Sequence, residues 1–561
     1  MVIIFLLALI IIIEGIGTII PRELIFYLYL ILPVIFFIQL IIKKKSVIFP
    51  KYPSITFGFF LILSFISAIF FSVDKQISFE LALFYLSSFL IFIFFYNNKK
   101  LAKKYIKLII FIGSTIFTLI YLFRLNTSPI DGYQLVVSYY GHIHNHLGDF
   151  LGLGLIVFIY SLIIKKENNW SYLLILFFPF FMLSFSRTAY VALLITTFFI
   201  LIRNKSISFF SIKTTFVIIL VILSMVFFFA TVKEADNKTI VGKLNQLLSV
   251  KFNLQSKDFT ARRLTYLEQG LKSFVDHPLF GVGPGNFGYS SKKYQSEKSQ
   301  WYEFTTTDNA HNLSLDILFE SGGLAFIFFE LFIILLLISI FKKNNLQNYL
   351  LLYLLINFQT DYTYKIYSVF ILFMILAATV YEEKTSKANQ SFIFNLFSIC
   401  LLFIVTSILT SGIFLRLNKL SLSLAFYPLN KEAYRQKIIQ DTAKEGCLEA
   451  DKYAKNYYFV SSGYLPTLQL LSSYYEACSN KKMAIYMLDK AVEGNRFINF
   501  NIVKKDYSLK KEIYGQKSAE AFLRWVLKGY GNLRYVSEFR QKVSDFCRNN
   551  NENVCKKMRW W

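Results

Sequence analysis

Apolar stretches, most of them close to 20 residues long, recur along the first three quarters of the chain and are separated by short polar segments. A helix of about 20 apolar residues crosses the hydrocarbon core of a bilayer, which is about 30 Å thick. The pattern therefore predicts an all-α polytopic membrane protein with about 12–13 transmembrane helices. The stretches lie at residues 2–20, 24–42, 55–71, 77–95, 105–122, 147–164, 172–185, 189–202, 214–230, 324–341, 346–358, 366–380 and 392–414.

Lysine and arginine follow every second apolar stretch, whereas the intervening exits contain few of them. Short loops rich in these cations stay on the cytoplasmic side of a membrane. We therefore expect the N-terminus inside, and the turn at Arg187, the loop 232–311 and the tail from residue 415 outside. The cations that set this orientation are Lys43, Lys44, Lys45, Lys99, Lys100, Lys103, Lys104, Lys165, Lys166, Arg203, Lys205, Lys342, Lys343, Lys384 and Lys387.

Composition and charge support a membrane protein. Hydrophobic residues make up 55% of the 561 residues and charged ones only 17%, which excludes an ordinary soluble enzyme. A net charge of +25 indicates a nucleic-acid partner only when the cations cluster on a soluble face. Much of the charge lies instead in the short loops between apolar stretches, so we expect no nucleic-acid partner.

The tail differs from the rest of the chain because its composition is mixed polar and aromatic. Two amphipathic helical patterns, at residues 466–477 and 483–491, resemble a single tetratricopeptide-like hairpin. An unrelated small helical domain is the alternative. The predicted regions are an N-terminal transmembrane bundle (1–231), an extracytoplasmic loop (232–311), C-terminal transmembrane helices (312–414) and an extracytoplasmic helical domain (415–561).

Four of the five cysteines follow the last apolar stretch. None forms a Cys-x-x-Cys motif, so the sequence gives no sign of a zinc or redox site. An even number of cysteines in a small domain that faces an oxidising compartment suits two disulfides. Of the three possible pairings, we predict Cys447–Cys478 and Cys547–Cys555.

Arg187 interrupts the apolar residues between 172 and 202. A guanidinium at membrane depth is costly and tends to mark a functional site. The alternative is an arginine that extends to the lipid headgroups. Ser184 and Ser186 flank it and can cap or break the helices there, which suits a preformed anion pocket with Ser186 as a substrate-binding candidate.

The outer loop contains the adjacent arginines Arg262 and Arg263 and a tight turn at residues 281–285, Gly-Val-Gly-Pro-Gly. As a nucleotide-phosphate motif this turn is weak, because Pro284 breaks the pattern. At the end of the loop, His311 and Asn312 stand where polar residues give way to an apolar helix. An imidazole there takes up a proton near neutral pH, and an adjacent amide can orient a substrate. Solvated arginines and a structural histidine are the alternatives.

The segment His142-Ile-His-Asn-His146 places two histidines four residues apart, a spacing that suits a metal. No third ligand of suitable spacing is evident. We interpret the segment as a solvent-facing histidine cluster and expect neither a metal nor another cofactor.

Several motifs in one order resemble a known family. Ser186-Arg187 and a loop arginine precede Asp-His-Pro-Leu-x-Gly-Val-Gly-Pro-Gly-Asn-Phe at 276–287, Ala-His-Asn-x-x-Leu at 310–315 and Glu-x-Gly-x-Leu at 320–324. This combination resembles the O-antigen ligase and polymerase superfamily, which includes bacterial protein O-oligosaccharyltransferases. The motif-bearing core covers residues 184–324.

The resemblance implies a multi-pass enzyme of the bacterial inner membrane whose active site and tail are extracytoplasmic. Such enzymes move a glycan from undecaprenyl pyrophosphate, a membrane lipid, to an acceptor hydroxyl. The acceptor is a lipid core for a ligase, another glycan for a polymerase, or a protein serine or threonine for an oligosaccharyltransferase. The non-enzymatic alternative is a transporter of lipid-linked glycans, but transporters usually contain internal repeats and we find none.

The resemblance also assigns roles to residues. The family's transmembrane arginine matches Arg187, its loop arginine best matches Arg263, and its loop histidine matches His311. Arg262, adjacent to Arg263, and Asn312 are the further substrate-binding candidates. The implied mechanism is metal-independent: guanidinium groups bind the pyrophosphate, and His311 takes the acceptor proton in a single inverting displacement.

Overall fold

The structure is a computed structural model of the chain, and it describes eleven segments together with five isolated positions near the first and ninth predicted spans. The segments are residues 22–42, 47–127, 143–164, 169–184, 186–204, 257–295, 309–383, 391–444, 446–495, 499–530 and 537–549.

The described regular structure is helical throughout, as the apolar pattern predicts. The helices up to residue 416 are α1 (Arg22–Ile42), α2 (Lys51–Ile66, continued by a π-helical turn Ser67–Phe71), α3 (Lys75–Asn97), α4 (Lys99–Thr127), α5 (Ile143–Ile164), a 3-10 helix (Asn169–Phe177), α6 (Phe178–Leu183), α7 (Arg187–Arg203), α8 (Lys257–Asp276), α9 (Phe287–Ser290), a 3-10 turn (Ser291–Tyr294), α10 (Leu313–Lys342), α11 (Leu346–Thr360), a 3-10 turn (Thr363–Lys365), α12 (Tyr367–Val380) and α13 (Ser391–Arg416).

Five helical segments in the described part are long and apolar enough to cross a membrane: Lys51–Phe71, Lys75–Asn97, Leu147–Ile164, Leu313–Lys342 and Phe392–Arg416. Shorter apolar helices lie at Phe26–Phe36, Leu173–Met182 and Tyr367–Val380. The chain is thus an all-α polytopic membrane protein, whereas the count of about 12–13 spans stays a prediction. The predicted spans 2–20 and 214–230 fall almost entirely outside the described residues.

Two predicted spans differ from the structure in form. Residues 172–185 begin in a 3-10 helix and continue as the short α6, which is completed by the Ser184 hydroxyl donating to the Phe181 carbonyl (2.7 Å). The predicted span 324–341 starts earlier, at Leu313, because α10 continues through a break at Gly322. The hydropathy of residues 324–341 marks only the part of α10 beyond this break.

Residues that the positive-inside pattern places on the cytoplasmic side meet at one end of the helices. The Arg203 guanidinium donates to the carbonyls of Ile340 and Phe341 (3.0 and 2.9 Å), and the Asn344 amide donates to Asn204 (2.9 Å). Residues of the predicted outer loops meet at the opposite end, as described below. The helix arrangement therefore agrees with the predicted alternation, while the orientation in a membrane stays a prediction.

The tail folds into helices that follow one another as close neighbours. They are α14 (Leu420–Phe426), α15 (Lys431–Lys444), α16 (Cys447–Val460), α17 (Leu465–Ala477), α18 (Lys481–Gly494), α19 (Phe500–Tyr514), α20 (Gln516–Tyr530) and α21 (Ser537–Asn549). Helices α15 to α20 pack as three successive pairs, where the sequence had indicated one hairpin. The resemblance to tetratricopeptide repeats itself stays a prediction.

The predicted disulfide Cys447–Cys478 is confirmed, with its Cα atoms 5.7 Å apart. It joins the first turn of α16 to the end of α17. Cys547 is also disulfide-bonded, but its predicted partner, Cys555, lies outside the described residues.

The tail docks on the outer end of α3 through a buried charge. Asp74, which is fully buried, caps α3 by accepting from the Ile77 amide (3.1 Å) and forms an ion pair with Lys431 at the start of α15. Its carboxylate also accepts from the Ser461 hydroxyl (3.1 Å), and the Gly463 amide donates to the Val73 carbonyl (3.4 Å). Two separate turns of the tail are therefore fixed to one turn of the helical membrane part.

We expect Lys431→Met to destabilise the protein strongly, because it leaves the Asp74 carboxylate buried without its cation. Removing one partner of a buried ion pair costs about 3–5 kcal/mol. The measurement is the apparent melting temperature in lipid nanodiscs, together with the rate of proteolysis between α13 and α15.

The double variant Asp74→Asn/Lys431→Met should recover part of the loss, since it removes both charges. Lys490→Met, which removes an exposed pair with Glu493, is the matched control and should change little. Equal melting temperatures for Lys431→Met and Lys490→Met would show that the buried pair does not hold the tail.

Candidate functional site

The break in α10 receives the glycine-rich turn of the outer loop. Gly322 has φ +83°, and a Cβ atom there would lie 2.3 Å from the Leu279 carbonyl oxygen. Gly281 has φ +67°, and a Cβ atom there would lie 2.3 Å from the Glu320 carbonyl oxygen. Only glycine allows two backbones to approach so closely. The tight turn predicted at residues 281–285 is thereby confirmed.

Backbone hydrogen bonds stabilise the contact between the glycine-rich turn and α10. The Gly283 amide donates to the Glu320 carbonyl and the Gly323 amide donates to the Pro278 carbonyl, each at 2.8 Å. The Glu320 carboxylate accepts from the amides of Gly285 (2.8 Å) and Phe287 (3.3 Å). The backbone groups that the helix break exposes are therefore paired by the loop, and the motifs Gly-Val-Gly-Pro-Gly and Glu-x-Gly-x-Leu serve one structural purpose.

Buried carboxylates on α10 hold the backbone just before His311 in place. Asp316 accepts from the Ala310 amide (2.6 Å) and from the Tyr364 hydroxyl. Lys365 lies 3.3 Å from Asp316 and 3.8 Å from Glu320, so the two carboxylates share one ammonium group. These contacts join the residues before His311 to the turn after α11.

His311 itself is held in an unusual backbone conformation, with φ +55°. Its amide donates to the Asn309 side chain (3.0 Å), and its ring stacks on Tyr266 (centroids 5.4 Å apart) and meets Tyr362 edge-on (4.9 Å). The side chain keeps 21% exposure. A non-glycine residue with positive φ is strained and is a frequent feature of active sites.

Asp361 is the carboxylate partner of His311. Its Oδ1 lies 3.0 Å from His311 Nδ1 and accepts from the Tyr362 amide (2.8 Å), while Oδ2 accepts from the Thr188 hydroxyl (3.4 Å). A carboxylate on Nδ1 favours the tautomer whose basic lone pair is on Nε2. Sequence reasoning missed Asp361, because its position after an apolar stretch gives no signal beyond that of an ordinary loop charge.

Arg187 is connected to the site through its neighbour Thr188. It is the first residue of α7 and is half-buried, so its backbone stands at the positive end of a helix dipole. Because Thr188 bonds to Asp361, the start of α7 is tied directly to the His311 pair. The structure therefore brings Arg187 and His311, far apart in sequence, to one end of the molecule.

Arg262 and Arg263 lie on α8, four and three residues before Tyr266. Tyr266 stacks on His311, so helical spacing places both arginines on the turn of α8 that precedes this contact. Their side chains lie outside the described part of the structure. Tyr266 and Leu267 belong to a small apolar cluster with Phe287 and Phe319. Of these side chains, Tyr266 contacts the His311 ring.

Ser186 and Asn312 act as helix caps. The Ser186 hydroxyl accepts from the Ala189 amide (3.4 Å) and is almost fully buried. The Asn312 side chain accepts from the Leu315 amide (2.9 Å) and donates to the Gln359 carbonyl (2.8 Å). Both side chains thus have structural partners, and their predicted contact with substrate stays a prediction.

The histidine cluster at residues 142–146 cannot be placed, because His142 and the side chains of His144 and His146 lie outside the described residues. Among the side chains that are described, no group of three His, Cys, Asp or Glu residues has an arrangement suited to a metal ion.

The end of α8 is fixed to the following turn by an exposed cluster. Asp276 accepts from the Tyr294 hydroxyl and from Lys293 (3.1 Å). The Tyr294 hydrogen bond, followed by that of Lys293, lowers the pKa of the Asp276 carboxyl. Its stabilising contribution is therefore present at neutral pH and is lost as the pH falls through this lowered pKa. Because the group is exposed, solvent screens the contribution.

Comparison with known proteins identifies the class. Residues 172–330 match the family model described as O-antigen ligase, and this region contains Arg187, α8, the glycine-rich turn and His311. No curated protein matches the chain. The match confirms the resemblance of this region to the O-antigen ligase superfamily that the motifs predicted.

We expect Gly322→Ala to prevent correct assembly of the site, because its Cβ atom collides with backbone and its φ is positive. Gly412→Ala is the matched control: it also replaces a glycine in a membrane-spanning helix, but nothing lies within 4 Å of the added atom. Size-exclusion chromatography in detergent and thermal unfolding measure the outcome. If Gly322→Ala were as stable as Gly412→Ala, the close contact between the loop and α10 would be refuted.

Proposed function

We propose that this protein transfers a glycan from undecaprenyl pyrophosphate to an acceptor hydroxyl outside the cytoplasm, as an O-antigen ligase does. The family match supports a glycosyltransferase-like function in O-antigen or polysaccharide assembly. The observation that carries the proposal is the His311–Asp361 pair tied through Thr188 to the start of α7, where Arg187 stands.

In the proposed reaction, His311 Nε2 takes the proton of the acceptor hydroxyl while the acceptor oxygen attacks the anomeric carbon. The bond from that carbon to the pyrophosphate breaks, and its electron pair stays on the pyrophosphate oxygen. Asp361 stabilises the imidazolium that forms, as a carboxylate partner does in other acid–base pairs. Attack opposite the leaving group inverts the configuration at the anomeric carbon.

Arg187 and Arg263 bind the charge that develops on the leaving pyrophosphate. Guanidinium groups bind phosphate oxygens in a bidentate manner and stabilise charge without a metal. The positive end of α7 adds to this effect at Arg187. Arg262 is the alternative to Arg263, since both precede Tyr266 by about one helical turn.

Three acceptor classes stay open within this proposal: a lipid core, another glycan, or a protein serine or threonine. The tail lies close to the glycine-rich turn, because Gly463 bonds to Val73 and Val73 bonds to Val282 in that turn (3.1 Å). A large acceptor could therefore contact the tail and the site at once, which favours a glycan or a protein. A transporter of lipid-linked glycans is the non-enzymatic alternative. The histidine–carboxylate pair has a clear use in transfer and none in passive transport.

We expect His311→Ala and Arg187→Ala each to lower the rate of transfer on the order of 100-fold or more, because they remove the base and a charge-stabilising group. Asp361→Asn should lower kcat more than it raises KM. The assay follows labelled lipid-linked glycan with purified protein. His277→Ala, an exposed histidine, and Arg435→Ala, an exposed arginine of the tail, are the matched controls. Full transfer by His311→Ala would overturn the mechanism.

We expect transfer to continue unchanged in the presence of EDTA, since the charge is held by arginines. Turnover should release undecaprenyl pyrophosphate in an amount equal to the glycan transferred. Supplying each acceptor class separately identifies the product. Movement of intact donor across the membrane without this release would favour the transporter instead.

A further inference from the structure

A second carboxylate lies buried beside the His311–Asp361 pair. Asp149 stands near the outer end of the span Leu147–Ile164 and has no solvent exposure. Neither of its oxygens has a hydrogen-bond partner in the part of the chain that the structure describes. An ionised carboxylate is very costly in such a place, so an intramembrane acid of this kind calls for a functional explanation.

The surroundings of Asp149 are polar but bring it no donor. Asn357 on α11 and Thr363 in the following turn are fully buried, and their side-chain polar atoms are also unpaired among the described residues. The Thr363 hydroxyl lies near Asp149 without meeting hydrogen-bond geometry. The Tyr353 hydroxyl is used by the Gly148 carbonyl (3.1 Å).

No charged group donates a hydrogen bond to Asp149 in the described part of the chain. Asp361 is close enough to interact with it electrostatically, and this interaction is between like charges. Lys365 is engaged by Asp316 and Glu320. Arg187, the half-buried first residue of α7, lies at the same end of α5, but neither Asp149 oxygen receives a hydrogen bond from it. Of the other helices packed on α5, α6, α11 and α12 have no charged side chain, and the lysines of α4 lie in its first turns at the opposite end. The side chains of Arg124, His144 and His146 are outside the described part.

The two carboxylates differ sharply in their hydrogen bonds. Asp361 receives the Tyr362 amide, the Thr188 hydroxyl and His311 Nδ1, and donors of this kind favour the ionised form. Asp149 receives no described donor. Two neighbouring buried carboxylates do not both ionise readily, so the negative charge belongs on Asp361 and a proton belongs on Asp149.

We propose that Asp149 is a protonated, neutral carboxylic acid that acts as a positioning residue for the His311–Asp361 pair. Its proton limits the site to one negative charge. A second buried negative charge would favour the imidazolium form of His311, which cannot accept the acceptor proton. During transfer the acceptor proton moves to His311 Nε2, and the proton on Asp149 stays in place. The catalytic consequence rests on the proposed function, whereas the protonation state does not.

Infrared difference spectroscopy tests the protonation state without any transfer reaction. We expect wild-type protein in nanodiscs at neutral pH to show a carbonyl band of a protonated carboxylic acid that is missing in Asp149→Asn. Asp506→Asn, which changes a fully buried aspartate of the tail, is the matched control and should keep this band. Retention of the band in Asp149→Asn, or its absence from wild type, would overturn the proposal. If Asp149→Asn does not fold, ¹³C-aspartate labelling of Asp506→Asn decides the question. Burial raises the pKa of Asp506 to about 7, so this variant removes the other buried aspartate whose band would shift with the label.

The pH dependence of transfer tests the catalytic consequence. We expect the wild-type rate to fall at alkaline pH as Asp149 loses its proton, and the fall to be absent in Asp149→Asn, whose amide does not ionise. The same alkaline fall in both proteins would overturn the positioning role. If no acceptor supports transfer, the proposed function fails, while the infrared result still decides the state of Asp149.

Discussion

The site depends on one constraint: a helix that breaks near the outer end of a membrane span must have its exposed backbone groups paired. At Gly322 the intrahelical ladder of α10 is interrupted, and lipid supplies no replacement. Residues 278–285 of the outer loop provide it, with two glycines that let the backbones touch. Both the end of α8 and the start of α9 are fixed by this junction, so the loop has a defined place above the helices. The same helix, α10, follows His311 directly, so the junction and the histidine–carboxylate pair share one rigid element.

The charged residues near the site form two groups with different partners. Lys365 is shared by Asp316 and Glu320, whose oxygens bind backbone amides, whereas Asp361 is paired with His311. Tyr266 and Tyr362 enclose the imidazole with aromatic faces and shield it from water. These contacts fix the orientation of the imidazole, while part of the side chain stays exposed.

Much of this architecture was readable from the residues. Hydropathy predicted the helices, and the alternation of cations agrees with the contacts between Arg203 and the end of α10. Motif order predicted the resemblance that the family model for residues 172–330 supports. Asp361 escaped because a carboxylate after an apolar stretch is, by pattern alone, indistinguishable from an ordinary loop charge. Its role depends on contacts with Thr188 and His311, 173 and 50 residues away in the chain. Ser186 and Asn312 were predicted as substrate-binding residues from their positions. The structure shows that both side chains cap helices, which the sequence pattern alone does not reveal. The early start of α10 was likewise invisible to hydropathy, since Asp316 and Glu320 lower it.

The turn at Val73–Asp74 has a consequence for the modularity of the chain. One face of it bonds to Val282 of the outer loop and the other to Gly463 of the tail, and its buried carboxylate depends on Lys431. The tail is therefore not an appendage that recombination can exchange at a linker. A substitute domain must supply an ammonium for Asp74 and an amide for the Val73 carbonyl. Without them, the carboxylate that caps α3 is left buried without a cation.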